Sequence, residues 1–329
     1  MFTKNFSDMA PALRRLFSEK FGERARFDEI LAPYLAYRVG GPADVLVFPR
    51  NEEELSWLSA TAKEYGLPIT VVGTGTNLLV QDGGIRGIVL SLAQAFQEIE
   101  IVPNEDGQHP DKVWVRCGGG VEKPRFLNWS IERNLSGLVF SSGVPGTLGG
   151  GIFMNAGTKY GCYGDILRRL RLFDFTNGGR ELKREDTHFG YRHQSAVGNN
   201  LVVWATFELT RGDGSILKAE MERIIAERAE KQPLDFPSCG STFKNPPEGL
   251  SAGRLIERSG LKGTRVGNAE ISLKHANFIL NKGGATASDI LALIGIIKER
   301  VFREFGTRLE CEVIILGESA REGQVPHQA

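Results

Sequence analysis

The chain has 329 residues, 41% hydrophobic and 24% charged, and its 40 basic and 40 acidic side chains leave a formal net charge of zero. That length predicts about two domains of ~100–200 residues each, with apolar content for sizeable cores. Balanced charge removes the general ground for a nucleic-acid or anionic-lipid partner, and no apolar run approaches the length of a membrane span.

In chain order, "DMAPALRRLFSEKFG" (8–22) predicts an amphipathic helix capped by Ser7, with Pro11 in its first turn and Gly22 as its stop. "ADVLVFP" (43–49) reads as a strand. "NEEELSWLSATAKEYG" (51–66) reads as a helix with an Asn cap, an acidic first turn and a terminal Gly. "PITVVG" (68–73) predicts a second, buried strand. "GIVLSL" (87–92) and "KVWVRCG" (112–118) are further strands, with the polar "PNEDGQHPD" (103–111) as the loop between them. "EKPRFLNWSIERNLSG" predicts a helix ending at Gly137, "LVVWATFEL" (201–209) a strand, and "LKAEMERIIAERAEKQ" a charged helix stopping at Pro233. Beyond it, "SAGRLIERSG" and "ASDILALIGIIKERVFREFG" read as helices, and "HANFILN" and "LECEVIILG" as strands. The class is α+β. A boundary near residue 212 gives an N-terminal helical extension (1–27), a larger unit (28–212), a smaller α+β unit (213–318) and a polar tail (319–329).

The four cysteines (Cys117, Cys162, Cys239, Cys311) form no CxxC pair and the five histidines no HExxH, so neither a disulfide framework nor a metal site is expected. The first residues lack the apolar stretch of a signal peptide, and the cytoplasm is the expected compartment.

Chemistry enters with the 40 glycines, which cluster. "VVGTGTNLLV" (71–80) places Gly73 and Gly75 directly after a strand, and "SSGVPGTLGGGIFMNAG" (141–157) packs six glycines among Ser, Thr and Asn. "RVGGPA" (38–43) is a third such turn. Glycine lets a ligand approach the backbone closely, and successive N–H groups can form a nest for a pyrophosphate. Neither long loop is a Rossmann fingerprint, and Gly157-Thr158-Lys159 has threonine and lysine in the wrong order for a Walker A motif. Taken alone, each glycine pair could equally mark a tight turn. A further stretch, "PSCGSTFKNP" (237–246), sets Cys239 two residues from Ser241 and leaves open which of them carries chemistry.

Six segments together carry a resemblance: "YRVGGPADVLVFP", "VVGTGTNLLVQDGGIRGIVLSL", "GLVFSSGVPGTLGGGIFMNAG", "FGYRHQS", "PSCGSTFKNP" and "LECEVIILGE". In this order, from about residue 30 to 318, they resemble the UDP-N-acetylenolpyruvoylglucosamine reductase (MurB) family. The resemblance implies an FAD-binding domain of the vanillyl-alcohol-oxidase (PCMH) type, followed by a smaller α+β substrate-binding domain. It also implies non-covalent FAD, NADPH as co-substrate, and a UDP-linked enolpyruvyl amino sugar reduced to UDP-N-acetylmuramate for peptidoglycan synthesis. No nucleic acid, membrane or obligate protein partner is expected.

By the same resemblance, FAD would be held by the turn Gly40-Gly41 and by Gly73, Thr74, Gly75, Thr76, Asn77 and Leu78. The second loop would add Ser141, Ser142, Gly143, Val144, Pro145, Gly146, Thr147, Gly149, Gly150, Asn155 and Ala156, with Asn77 and Asn155 giving side-chain hydrogen bonds. The family's YRxS motif maps onto Tyr191-Arg192, although "YRHQS" has one residue more before Ser195. Arg192 would grip the enolpyruvyl carboxylate, Glu312 in its terminal strand would act with it at the developing enol, and Ser241 would donate the proton. Tyr191, Lys244 and Asn245 are expected at the substrate, and Cys239 as a small packing residue behind Ser241. Two alternatives stand beside this. One is an FAD oxidase or dehydrogenase on the same scaffold, though "VVGTGTNLLV" lacks the histidine that commonly anchors such flavins; the other is a non-catalytic flavin-binding protein.

Overall fold

Local sequence chemistry sets the helix ends. The Asn51 carboxamide accepts the Glu54 N–H at 2.9 Å, and left-handed Gly66 closes the helix Glu52–Tyr65. Further on, a reciprocal Thr286/Asp289 capping box starts the helix Ala287–Phe305, which Gly306 ends. The computed structural model describes residues 10–320, apart from 105, 106 and 108. Ser7 and residues 321–329 of the expected tail lie outside the described residues.

A four-stranded sheet runs in the order Ala25–Ile30, Pro42–Val47, Ile85–Ser91, Ile69–Val72, the last three parallel to one another. The helices Glu52–Tyr65 and Ala10–Phe21 share its core, where Val45, Leu55, Ile88 and Leu90 meet Leu13 and Phe17. Phe17 and Phe21 each pack edge-on against Trp57 with centroids 5.4 Å apart, so the N-terminal helix is part of this core. "PITVVG" is an edge strand rather than a buried one. Val71 is exposed, because this edge lines a cleft.

The second sheet is antiparallel, in the order Gly178–Lys183, Leu167–Asp174, Leu201–Arg211, Lys112–Gly118, Ile99–Val102. Three of these strands are absent from the sequence reading. "LRRLRLFD" (167–174) conceals its buried face, Leu167, Leu170 and Leu172, among arginines. Arg168 and Arg171 are satisfied laterally by Glu208 and Glu52. The helix expected to reach Gly137 ends at Glu132. Left-handed Asn134 follows, and Leu135–Ser136 joins the sheet beside Arg211.

The helix Gly214–Lys231, beyond the expected boundary near 212, lays Leu217 and Met221 on this second sheet's core. A further core gathers Ile256, Ile271, Ile290, Leu293 and Ile297, from two helices and the small sheet that includes Ala269–Ile271 and Ile279–Asn281. Tyr37, Val39 and Leu79 enter it from the first unit. Of "LECEVIILG" only Ile314–Leu316 is strand, and it pairs in parallel with Leu78–Val80. Glu312 lies just before it, where the chain bends off an isolated bridge between Cys311 and Phe243. That return sets residue 312 beside the first glycine loop. No helix among the described residues is long and apolar enough to cross a membrane.

Candidate active site

The two glycine loops meet. A Cβ on Gly73 would lie 2.8 Å from Thr147 Oγ1, and one on Gly146 would lie 2.7 Å from Thr76 Oγ1. They wall a cleft of about 1120 Å³, larger than an ordinary small-ligand pocket. Gly73, Thr74, Gly75, Thr76, Asn77 and Leu78 line it from one side. Val144, Pro145, Gly146, Thr147, Gly149, Gly150 and Ala156 line it from the other. On the first loop, the N–H groups of Thr74, Gly75, Thr76 and Asn77 have no partner among the described residues. The Thr74 hydroxyl is likewise buried without a partner. Orphaned donors of this kind are costly unless a ligand takes them.

Other expected cofactor residues lie behind the cleft wall. Gly40 and Gly41 are absent from the lining, and a Cβ on Gly41 would collide with the Asp82 carbonyl, so this glycine serves chain packing. Gly143 packs against Arg228. Ser141 and Ser142 donate to the Leu138 and Val139 carbonyls at 2.8 and 2.6 Å and brace the loop.

Arg192, Ser241 and Glu312, far apart in sequence, converge on this cleft. Phe189–Gly190 and His193–Gln194 form a hairpin with Tyr191-Arg192 as its two-residue turn. Arg192 has φ +52°, an uncommon conformation for a side-chain-bearing residue. Its Nε donates to Glu312 Oε1, and both side chains are largely buried. Asparagines clamp the pair from either side. Asn155 donates to the Gly190 carbonyl at 2.8 Å while accepting from Gly164 N–H, and Asn77 donates to the Glu312 carbonyl at 2.9 Å. Both expected flavin-binding amides thus hold protein backbone. The residue added in "YRHQS" is absorbed by the return strand, and Ser195, outside the cleft lining, accepts from His188 N–H at 3.0 Å.

Ser241 and Cys239 both border the cleft but differ in burial and bonding. The Ser241 hydroxyl lines the cleft with no partner among the described residues. Cys239 is buried, its thiol donates to the Leu78 carbonyl at 3.2 Å, and burial pushes its pKa up to about 12. A Cβ on Gly240 would meet nothing within 4 Å, so it is the left-handed φ of +72° that calls for glycine there. Tyr191, Lys244 and Asn245 lie outside the cleft lining. The Tyr191 hydroxyl accepts from Asn245 N–H at 3.3 Å, Asn245 Oδ1 accepts from Ala252 N–H, and Lys244 lies 3.5 Å from Glu310.

Sequence reasoning missed Lys123 and Arg228, both of which line the cleft. Each sits in a charged or amphipathic helix, where a cation ordinarily faces solvent.

An anion nest that continues into a buried arginine–carboxylate pair and a free serine defines an enzyme built around a large phosphorylated cofactor. An FAD-binding domain model matches residues 43–181. A model for the C-terminal domain of UDP-N-acetylenolpyruvoylglucosamine reductase matches residues 232–316. The chain is 40% identical over 298 residues to the UDP-N-acetylenolpyruvoylglucosamine reductase of Heliobacterium modesticaldum, covering 90% of this chain and 91% of that protein. It is 41% identical over 298 residues to that of Clostridioides difficile, covering 90% and 94%. The crystal structure of the enzyme from Thermus caldophilus aligns with a TM-score of 0.72 at 33% identity, over 89% of this chain and all of that one. The chain belongs to the UDP-N-acetylenolpyruvoylglucosamine reductase family. It is an oxidoreductase with FAD as cofactor, and an FAD-binding domain occupies residues 43–181. The site suits that group: the orphaned Thr74 hydroxyl and unpaired loop N–H groups fit a diphosphate, and no histidine among the described residues lines the cleft to tether a flavin.

Proposed function

We propose that the protein reduces the enolpyruvyl group of UDP-N-acetyl-3-O-(1-carboxyvinyl)-glucosamine to give UDP-N-acetylmuramate, a peptidoglycan precursor, with NADPH as reductant. The observation that carries this is the Arg192–Glu312 pair facing the same cleft as an unpartnered Ser241. FAD, held by the backbone of Thr74 to Asn77 and the facing glycine loop, would supply the hydride chemistry of the reduction, with NADPH as the source of electrons. The residues then manage the charge that develops beside the substrate carboxylate. Arg192 binds that carboxylate with the guanidinium N–H groups not given to Glu312 or the Gly157 carbonyl. Glu312 orients the guanidinium, which stabilises the developing enol-like oxygen. Ser241 Oγ delivers the proton to the carbon next to the carboxylate, and water restores it. Tyr191 and Lys244 contact the nucleotide sugar from the rim, and Asn245 keeps Tyr191 in place.

The larger unit holds the cofactor and residues 232–318 supply the substrate face, with the helix Gly214–Lys231 closing the cofactor side through Arg228. The partners are small molecules, and the site of action is the cytoplasm, supported by four cysteines that remain free thiols. The purified protein is expected to be yellow, and denaturation to release free FAD. Mixed anaerobically with NADPH, its flavin should bleach, and the enolpyruvyl nucleotide sugar should restore the colour. A colourless protein that takes up no FAD would overturn the function. Flavin retained covalently after denaturation would point to the oxidase alternative.

A further inference from the structure

Lys123 opens the helix Lys123–Glu132, followed by Pro124, yet its side chain runs inward and is only 5% exposed. A lysine this buried is ordinarily paired with an anion. Among the described residues nothing engages the Lys123 ammonium, neither a carboxylate nor a hydrogen-bond acceptor. Its stem runs past Gly151, and its Nζ lies 3.3 Å from the Cβ position of Gly146, where the two glycine loops meet. A second cation stands nearby: Arg228 lies along Gly143, 3.1 Å from its Cβ position, lines the same cleft and has no side-chain partner among the described residues either.

Two unpaired cations on one wall are unfavourable until an anion enters between them. Across the loop junction stand the unpaired N–H groups of Thr74 to Asn77. Cations and amide donors together suit a diphosphate, which has charge and oxygens for both. The substrate carboxylate is already provided for by Arg192.

We propose that Lys123, with Arg228, is the charge partner of the FAD diphosphate, and that loading the cofactor carries a proton onto Lys123; this rests on FAD being the cofactor of the cleft. Burial first, then the charges of Arg192 and Arg228, pulls the free Lys123 down to about 7. Below that value the ammonium is already charged and binding needs no proton. Above it the free amine is neutral, binding must take up a proton, and the FAD dissociation constant rises about tenfold per pH unit until the bound-state pKa is reached. The other titratable groups facing Lys123 are Arg192 from the hairpin, Arg228 from its helix and Tyr163, whose ring also abuts Gly151. Guanidinium groups keep their charge throughout, and burial holds the Tyr163 phenol well above its ordinary value.

The test uses the flavin-loaded protein. Recovered flavin fluorescence on dilution gives the FAD dissociation constant at about pH 6 and about pH 8.5, and displacement by ADP or riboflavin gives theirs. The expected result is a rise of about tenfold or more for FAD and ADP between the two pH values, with riboflavin unchanged. Lys123→Met keeps the stem; it should weaken FAD and ADP about 10- to 100-fold at the lower pH and abolish the slope. Its thermal melt without added cofactor should rise, since an uncompensated buried charge is gone. A slope shared by riboflavin, a slope that survives Lys123→Met, or an FAD affinity indifferent to pH would each overturn the proposal. If the variant does not fold, the wild-type slopes for ADP and riboflavin decide alone. FAD that fails to bind at either pH would instead overturn the cofactor assignment, and this proposal with it.

Discussion

Ser241→Ala should leave NADPH bleaching of the flavin at the wild-type rate and slow reoxidation by the enolpyruvyl substrate by about 10³-fold, or ~4 kcal/mol of transition-state stabilisation. The first half-reaction needs no proton at a substrate carbon; the second does. The Ser241 hydroxyl faces the cleft without a partner among the described residues, whereas Cys239 two residues earlier is buried and hydrogen-bonded to backbone. Its raised pKa makes it a poor thiolate, and the reaction requires no covalent intermediate. Cys239→Ala should therefore keep most activity and lose only packing stability, about 1 kcal/mol. Ser241→Cys should restore part of the reoxidation rate. Stopped-flow absorbance of the flavin separates these cases. Wild-type reoxidation in Ser241→Ala together with a dead Cys239→Ala would exchange the two roles.

Arg192→Lys should cut turnover by about 10²-fold, ~2.7 kcal/mol, at unchanged FAD content. Arg192 serves two masters, since its Nε donates to Glu312 and its Nη1 to the Gly157 carbonyl at 3.4 Å while the same guanidinium borders the cleft. An ammonium can approach either partner, but it cannot span both with fixed geometry. The hairpin should survive, because Asn155 holds it through the Gly190 carbonyl and lysine meets the same backbone demand as arginine. Steady-state kinetics with flavin quantitation reads the result. Wild-type turnover would mean that another cation holds the carboxylate.

Where composition and spacing act locally, the sequence was legible. Asn51 and Gly66 mark both ends of one helix, and the glycine loops declare an anion nest before any family is invoked. Arg192, Glu312 and Ser241 came from the resemblance, and only tertiary structure brings them together. What stayed hidden has two physical causes. The strand Leu167–Asp174 carries arginines whose partners, Glu208 and Glu52, lie on distant segments, so its alternation reads as polar. Asn77, Asn155 and Lys123 have side-chain directions that no local pattern encodes. Two asparagines fitted for a ligand bind backbone instead, and a lysine fitted for solvent lies in the cleft wall.

The parallel pairing of Ile314–Leu316 with Leu78–Val80 has a consequence in time. Asn77 grips the carbonyl of a residue 235 positions later, so the Arg192–Glu312 pair cannot assemble while the ribosome is still making the first unit. A nascent or clipped chain ending before residue 312 retains both glycine loops yet lacks the carboxylate that aims Arg192. The last strand therefore acts as a completion check: contacts this distant in sequence form late in folding, and the Arg192–Glu312 pair proposed to act on the sugar nucleotide forms only once residue 312 has been made.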